Sequence, residues 1–133
     1  MKTLNDYMAM SYRMKVVEDE DEGGFVISYP DLPGCITCGA TMGGAIANAQ
    51  DAKKAWIEAA LDGGVEIYEP DVEGSDICIV EYKGYVGSIE FSEEDQLYYG
   101  KVLDSRSLIS YEGKSVSELI QDFHDVINSG LLE

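Results

Sequence analysis

The 133-residue sequence predicts an α+β chain. It reads as tandem copies of a two-layer unit, each a three-stranded antiparallel sheet packed on one helix. Three observations predict this. Short runs rich in β-branched and aromatic residues alternate with turns of Gly, Asp and Glu, the pattern of antiparallel strands. Two segments, after Thr41 and after Ser115, carry apolar residues at helical spacing. The order strand, acidic turn, strand, strand, Gly-x-Thr/Ser, helix occurs twice, so that Gly39-Ala40-Thr41 returns as Gly113-Lys114-Ser115, 74 residues later.

In the first half, residues 12–17 read as a strand. An acidic turn, Glu18 to Glu22, ends in Gly23-Gly24, whose freedom at positive φ suits a hairpin. Phe25 to Tyr29 is the second strand. Pro30-Asp31-Leu32-Pro33-Gly34 leaves regular pairing, because proline lacks an N–H and restricts the residue before it. Residues 35–39 form a short third strand. Thr41 is an N-cap for a helix carrying Ala45, Ile46, Ala49, Ala52, Lys53, Trp56, Ile57 and Ala60. It stops at Gly63-Gly64, and Met42-Gly43-Gly44 makes a weak first turn. Residues 65–70 read as a short edge strand ended by proline.

Asp71 to Ser75 reads as a linker. Strands follow at 77–82, 85–91, 97–102 and 108–113, with an acidic turn at Ser92 to Asp95. Tyr99 lies 14 residues before Gly113, as Phe25 lies before Gly39. Ser115-Val116-Ser117-Glu118 is a capping box. It opens a helix with Val116, Leu119, Ile120, Phe123, Val126 and Ile127 on one face, stopping at Gly130. The expected organisation is a first unit over 1–70, a linker and first strand over 71–81, and a second unit over 82–133.

Composition narrows the function. The 26 acidic and 9 basic residues give a formal charge of −17. Residues 1–70 carry 12 acidic and 5 basic side chains, and residues 71–133 carry 14 and 4, so both halves are acidic. Such a chain repels phosphate backbones and is steered toward basic partners. Direct DNA binding is not expected. Apolar residues make up 45% of the chain, enough for a core. No run approaches a membrane span, and no signal peptide is read at the N-terminus, so a cytoplasmic protein without membrane attachment is expected.

The candidate chemistry is sparse. Cys35-Ile-Thr-Cys38 has the spacing of a redox or zinc half-site, but a second pair is absent and Cys78 stands apart. The favoured reading is two reduced, half-buried thiols on a strand, with no metal and no cofactor. The carboxylates cluster in turns, where a metal-dependent nuclease would need them converging on two ions. Asp31, between two prolines, reads first as a turn former, and His124 as a structural histidine. No catalytic residue is assigned, and a binding role is expected instead of an enzymatic one. Tyr29, Asp31 and Leu32 are the candidates for partner contact. Pro30, Pro33, Gly34, Cys35, Gly39, Thr41, Gly113 and Ser115 are assigned to backbone structure.

The acidic-Gly-Gly turn, the strand Phe25 to Tyr29, Pro30-Asp31-Leu32-Pro33-Gly34-Cys35, Thr37-x-Gly39-x-Thr41 and an Ala-rich helix with Trp56 together resemble the HicB antitoxin family over residues 7–70. Tyr82-Lys83-Gly84-Tyr85, Gly100-Lys101-Val102, Tyr111-Glu112-Gly113 and Phe123 resemble another subgroup of that family over residues 82–127. The resemblance implies a partial RNase H-like fold and an antitoxin that masks a basic HicA-type toxin, an mRNA-cutting protein. It also implies homodimers or higher oligomers, and exposed strand edges invite sheet extension between copies. Many members carry a C-terminal DNA-binding segment that represses their own operon; none is read after Phe123, which puts autorepression by this chain in question. The remaining readings are a repurposed structural or self-assembling module and an RNase H-like nuclease.

Overall fold

The computed structural model describes residues 2–103 and 109–129. The chain divides into two compact units, Met1–Ile77 and Cys78–Glu133. Both combine antiparallel strands with helices, an α+β architecture.

The first unit opens with a short helix, α1 (Leu4–Met8), that sequence reading passed over. Its signal was present: Thr3 accepts from the Asp6 N–H while Asp6 accepts from the Thr3 N–H at 2.7 Å, a capping box across two orphan donors. Strands β1 (Arg13–Glu18), β2 (Phe25–Ser28) and β3 (Ile36–Gly39) follow. They pair antiparallel in the order β1-β2-β3, with Val16 opposite Ile27 and Ile27 opposite Thr37. Gly23 and Gly24 turn the first hairpin at φ +79° and +84°. The helix α2 (Met42–Gly63) starts on Thr41, whose hydroxyl accepts from the Gly44 N–H at 3.0 Å, and ends at Gly64 in the left-handed region. Met42, Ala45, Ala49, Lys53, Ile57 and Ala60 form its buried stripe. This stripe lies on β3 and β2, and α1 lies against α2.

Two expectations change in this unit. Residues 65–70 form no strand. Their single deep anchor is Ile67, and the Tyr68 carbonyl accepts from the Tyr12 hydroxyl, so a side chain meets this backbone instead of a ladder. The segment read as a linker is bound into the first unit. The Ser11 N–H donates to the Val72 carbonyl at 2.8 Å, the Gly74 N–H to the Ala9 carbonyl at 2.9 Å, and the Ser11 hydroxyl to the Ser75 carbonyl at 2.7 Å.

The second unit holds β4 (Ile77–Tyr82) from Cys78 onward, β5 (Tyr85–Ser92), β6 (Leu97–Lys101) and β7 (Ser110–Gly113), each antiparallel to the next. The start of the last strand expected at Leu108 lies outside the described residues, as does the stop at Gly130. The helix α3 (Val116–Asn128) packs on β7 and β6 through Val116, Leu119, Phe123 and Ile127. Tyr111 packs against Phe123 with the rings tilted and their centroids 4.9 Å apart, and it donates its hydroxyl to the Ser88 carbonyl at 2.7 Å. The Ser115 hydroxyl accepts from the Glu118 N–H at 3.1 Å, but the Glu118 carboxylate reaches the Lys114 N–H, one residue before the cap. The box is therefore displaced, not reciprocal. Register differs by one as well. Phe25 pairs with Gly39, whereas Tyr98, not Tyr99, pairs with Gly113, because the connection before β7 is one residue longer.

Gly39 and Gly113 do the same work in their units. A Cβ on Gly39 would run into the backbone of Gly44 and Ala45, and one on Gly113 into Glu118 and the Leu119 backbone. Each glycine lets its strand, β3 or β7, meet the first turn of the helix that follows. Gly39→Ala and Gly113→Ala are each expected to lose about 1–3 kcal/mol through overpacking. Urea unfolding checks this, with Trp56, the only tryptophan, reporting the first unit and near-UV tyrosine dichroism the second.

Candidate partner-binding surface

The loop from Tyr29 to Cys35 is shaped by its own backbone. The Tyr29 N–H donates to the Cys35 carbonyl at 3.0 Å, the Leu32 N–H to the Tyr29 carbonyl at 3.0 Å and the Cys35 N–H to the Leu32 carbonyl at 2.9 Å. Gly34 stands at φ +86°, where a side chain would be strained. The Trp56 indole of α2 donates to the Pro33 carbonyl at 2.8 Å and ties the loop to the helix.

Beneath the loop lies a polar cluster that sequence reading did not assemble. Lys53 is 2% exposed, and its Nζ sits 2.8 Å from the Asp76 carboxylate and 3.3 Å from the Met10 carbonyl. The same carboxylate accepts from the Tyr12 N–H at 2.9 Å and from the Tyr29 hydroxyl at 2.9 Å. The ammonium also lies 4.7 Å from the centre of the Tyr12 ring, a cation–π distance. The pieces were visible as types, Lys53 on the apolar stripe of a helix and an acid in a polar segment. Their meeting depends on long-range topology.

This geometry sorts the expected contact residues. Tyr29 and Leu32 are 2% and 0% exposed. The Tyr29 hydroxyl is used inside the unit, so neither side chain presents a surface to a partner. Asp31 is part-exposed and pairs with Arg13 at 3.3 Å. Pro30, Pro33 and Gly34 stand exposed on the loop, while Cys35 is buried behind it.

Cys35 and Cys38 do not form a matched pair of half-buried thiols. Cys35 is buried just before β3, where desolvation raises its thiol pKa against a smaller lowering by Lys53, and Cys38 is exposed on β3. None of the three cysteines is in a disulfide. Among the described residues, no three His, Cys, Asp or Glu side chains gather to hold a metal ion. His124 stacks on Tyr82, with ring centroids 3.9 Å apart.

The surface available to a partner is of two kinds. The hairpin after β1 presents Glu20, Asp21 and Glu22, all exposed, on a turn organised by the Asp19 carboxylate, which accepts from the Asp21 and Glu22 N–H groups. The sheet face turned away from α2 carries Val17 and Ile36, 48% and 61% exposed, with Val26 and Cys38 and the polar side chains of Arg13, Lys15 and Ser28.

The first unit thus combines a proline loop held by its own backbone bonds with an exposed acidic hairpin. The chain belongs to the HicB_like antitoxin family of bacterial toxin–antitoxin systems, whose model matches residues 12–93. It is 33% identical over 66 residues to an uncharacterized 14.9 kDa protein from the rep-hol intergenic region of Haemophilus phage HP1, covering half of each chain. It is 42% identical over 50 residues to a UPF0150 protein of Thermoplasma acidophilum, covering 38% of this chain and 71% of that one. The chain thus spans half the length of the phage relative. No solved structure matches it. No helix among the described residues is long and apolar enough to cross a membrane.

Burial raises the Tyr12 hydroxyl from its ordinary value near 10 to about 12, with smaller contributions from neighbouring negative groups. The folded state therefore keeps this proton when the unfolded chain has lost it. Stability from Tyr12 is complete below pH 10 and is lost as pH rises toward 12. Urea midpoints measured from pH 8 to 12 should fall above pH 10. Tyr12→Phe should start less stable and decline less steeply.

Proposed function

We propose that the chain is an antitoxin that binds and masks a basic, HicA-type mRNA interferase in the cytoplasm, without catalysis of its own. The family match over residues 12–93 carries this reading. The charge of −17 supports it, since a toxin that grips RNA must present cations. In this reading the acidic hairpin steers the toxin and the exposed Val17 and Ile36 of the open sheet face set residence time. Asp31, at the margin of that face, is the one member of the expected contact trio still able to touch a partner.

The second half is read as another HicB-like unit, and the partial RNase H-like fold as common to both. Support comes from matched detail. Gly39 and Gly113, Thr41 and Ser115, Ala45 and Leu119, and Ala49 and Phe123 are all 74 residues apart and occupy matching places in their units. Homo-oligomers formed through the helix-free sheet faces are favoured by the exposure of Val17 and Ile36.

Titrating the protein into a HicA-type interferase should abolish RNA cleavage at a fixed stoichiometry, with association slowed by added salt. Asp31→Ala should slow association further without altering circular dichroism. Undiminished cleavage in the presence of folded protein would refute the antitoxin reading. An unchanged rate for Asp31→Ala would assign Asp31 to its Arg13 pair alone.

A further inference from the structure

Alternate residues of an edge strand turn their backbone N–H and C=O outward, which is where another strand can add. Among the described residues, β3 pairs with β2 alone and β7 with β6 alone. The ladder fixes which residues face outward. The Tyr29 N–H donates to the Cys35 carbonyl, so 35, 37 and 39 bond inward and Ile36 and Cys38 face the edge. The Val102 N–H donates to the Ile109 carbonyl at 3.0 Å, so 109, 111 and 113 bond inward and Ser110 and Glu112 face the edge.

A helix side chain meets each edge. Asn48 of α2 donates its amide to the outward Cys38 carbonyl at 2.9 Å. Asp122 of α3 accepts from the outward Glu112 N–H at 2.9 Å. Asn48 and Asp122 are 74 residues apart, as are Cys38 and Glu112. The two side chains satisfy opposite halves of the outward pair, a carbonyl in one unit and an N–H in the other, each with the chemistry its partner requires. The same position does the same work twice with different atoms.

We infer that Asn48 and Asp122 close these edges to strand addition, so that neither a second copy nor a partner's strand extends the sheet. An added antiparallel strand bonds at every second residue of the edge it joins. Each edge strand here has two outward residues. With the Cys38 carbonyl or the Glu112 N–H engaged by a helix side chain, three of the four outward groups of each edge strand are left, and a strand added there would lose a bond at its second site and meet that side chain. This reverses the expectation that the strand edges invite sheet extension, and it directs association to the sheet faces and the acidic turns.

The test compares wild-type full-length chain with the Asn48→Ala/Asp122→Ala variant by sedimentation velocity over a hundredfold range of concentration. Asp122→Asn serves as control, because it keeps an acceptor for the Glu112 N–H and loses only charge. The double variant should gain mass with concentration beyond wild type, with slower amide exchange at Ile36 and Ser110 in the associated sample. Asp122→Asn should sediment as wild type. A double variant that keeps its circular dichroism and sediments as wild type throughout would overturn the inference, as would association by Asp122→Asn alone. Amide exchange of the wild type tests the cap without any fold-changing substitution. The Glu112 N–H should exchange about tenfold or more slowly than an unprotected amide, given the strength of a bond to a carboxylate, and exchange at the unprotected rate would refute the cap.

Discussion

The first unit is organised around one buried ion pair, Lys53 with Asp76. Both side chains are almost wholly removed from water, 2% and 5% exposed. An ammonium placed on the buried stripe of a helix must find a counter-charge and further acceptors, because desolvation costs several kcal/mol per ion. Asp76 supplies the charge and the Met10 carbonyl a second acceptor. The two carboxylate oxygens then gather the Tyr12 N–H and the Tyr29 hydroxyl. Four distant pieces of chain meet at one point: the entry to β1, the end of β2, the middle of α2, and the segment before β4. The proline loop hangs from Tyr29 at that point, and the segment that composition marks as a linker becomes part of the unit.

Among its described residues the second unit closes its core without a buried ion pair. The position 74 residues beyond Lys53 is Ile127, which is buried. The polar demand moves to Tyr111, whose hydroxyl donates to the Ser88 carbonyl and whose ring rests on Phe123. Burial holds that hydroxyl protonated well above the usual tyrosine range. A core closed by an aromatic pair asks for no long-range counter-ion, so the two units differ most where the first is most constrained.

What was legible in the sequence follows from the range of the interactions involved. The strands, the Thr41 and Ser115 caps, the stop at Gly64 and the helical stripes are set by neighbours within a few residues, and they stand where spacing puts them. The strand expected at 65–70 failed because alternation cannot show whether a ladder partner exists. The 14-residue spacing of Tyr99 and Gly113 does not mark a strand pair, because register also depends on the length of the connection, and Tyr98 pairs with Gly113. The contact trio divided for a related reason. Tyr29 and Leu32 sit in a motif that looks exposed, yet both are buried, and the loop is tied to Trp56 and Asp76, which lie far along the chain. The edge caps at Asn48 and Asp122 were equally hidden, since each is an ordinary polar residue until its strand is placed beside it.

If the Lys53–Asp76 pair organises the first unit, the two residues must be strongly coupled in stability. A double-mutant cycle with Lys53→Met, Asp76→Asn and both together, followed by urea unfolding on Trp56 fluorescence, measures that coupling directly. Lys53→Met alone should cost about 3–5 kcal/mol, since it leaves a carboxylate buried without its counter-charge. The double variant should recover a large part of that loss, giving a coupling of about 2 kcal/mol or more. Losses that simply add, within about 0.5 kcal/mol, would contradict the account and reduce the pair to an incidental contact.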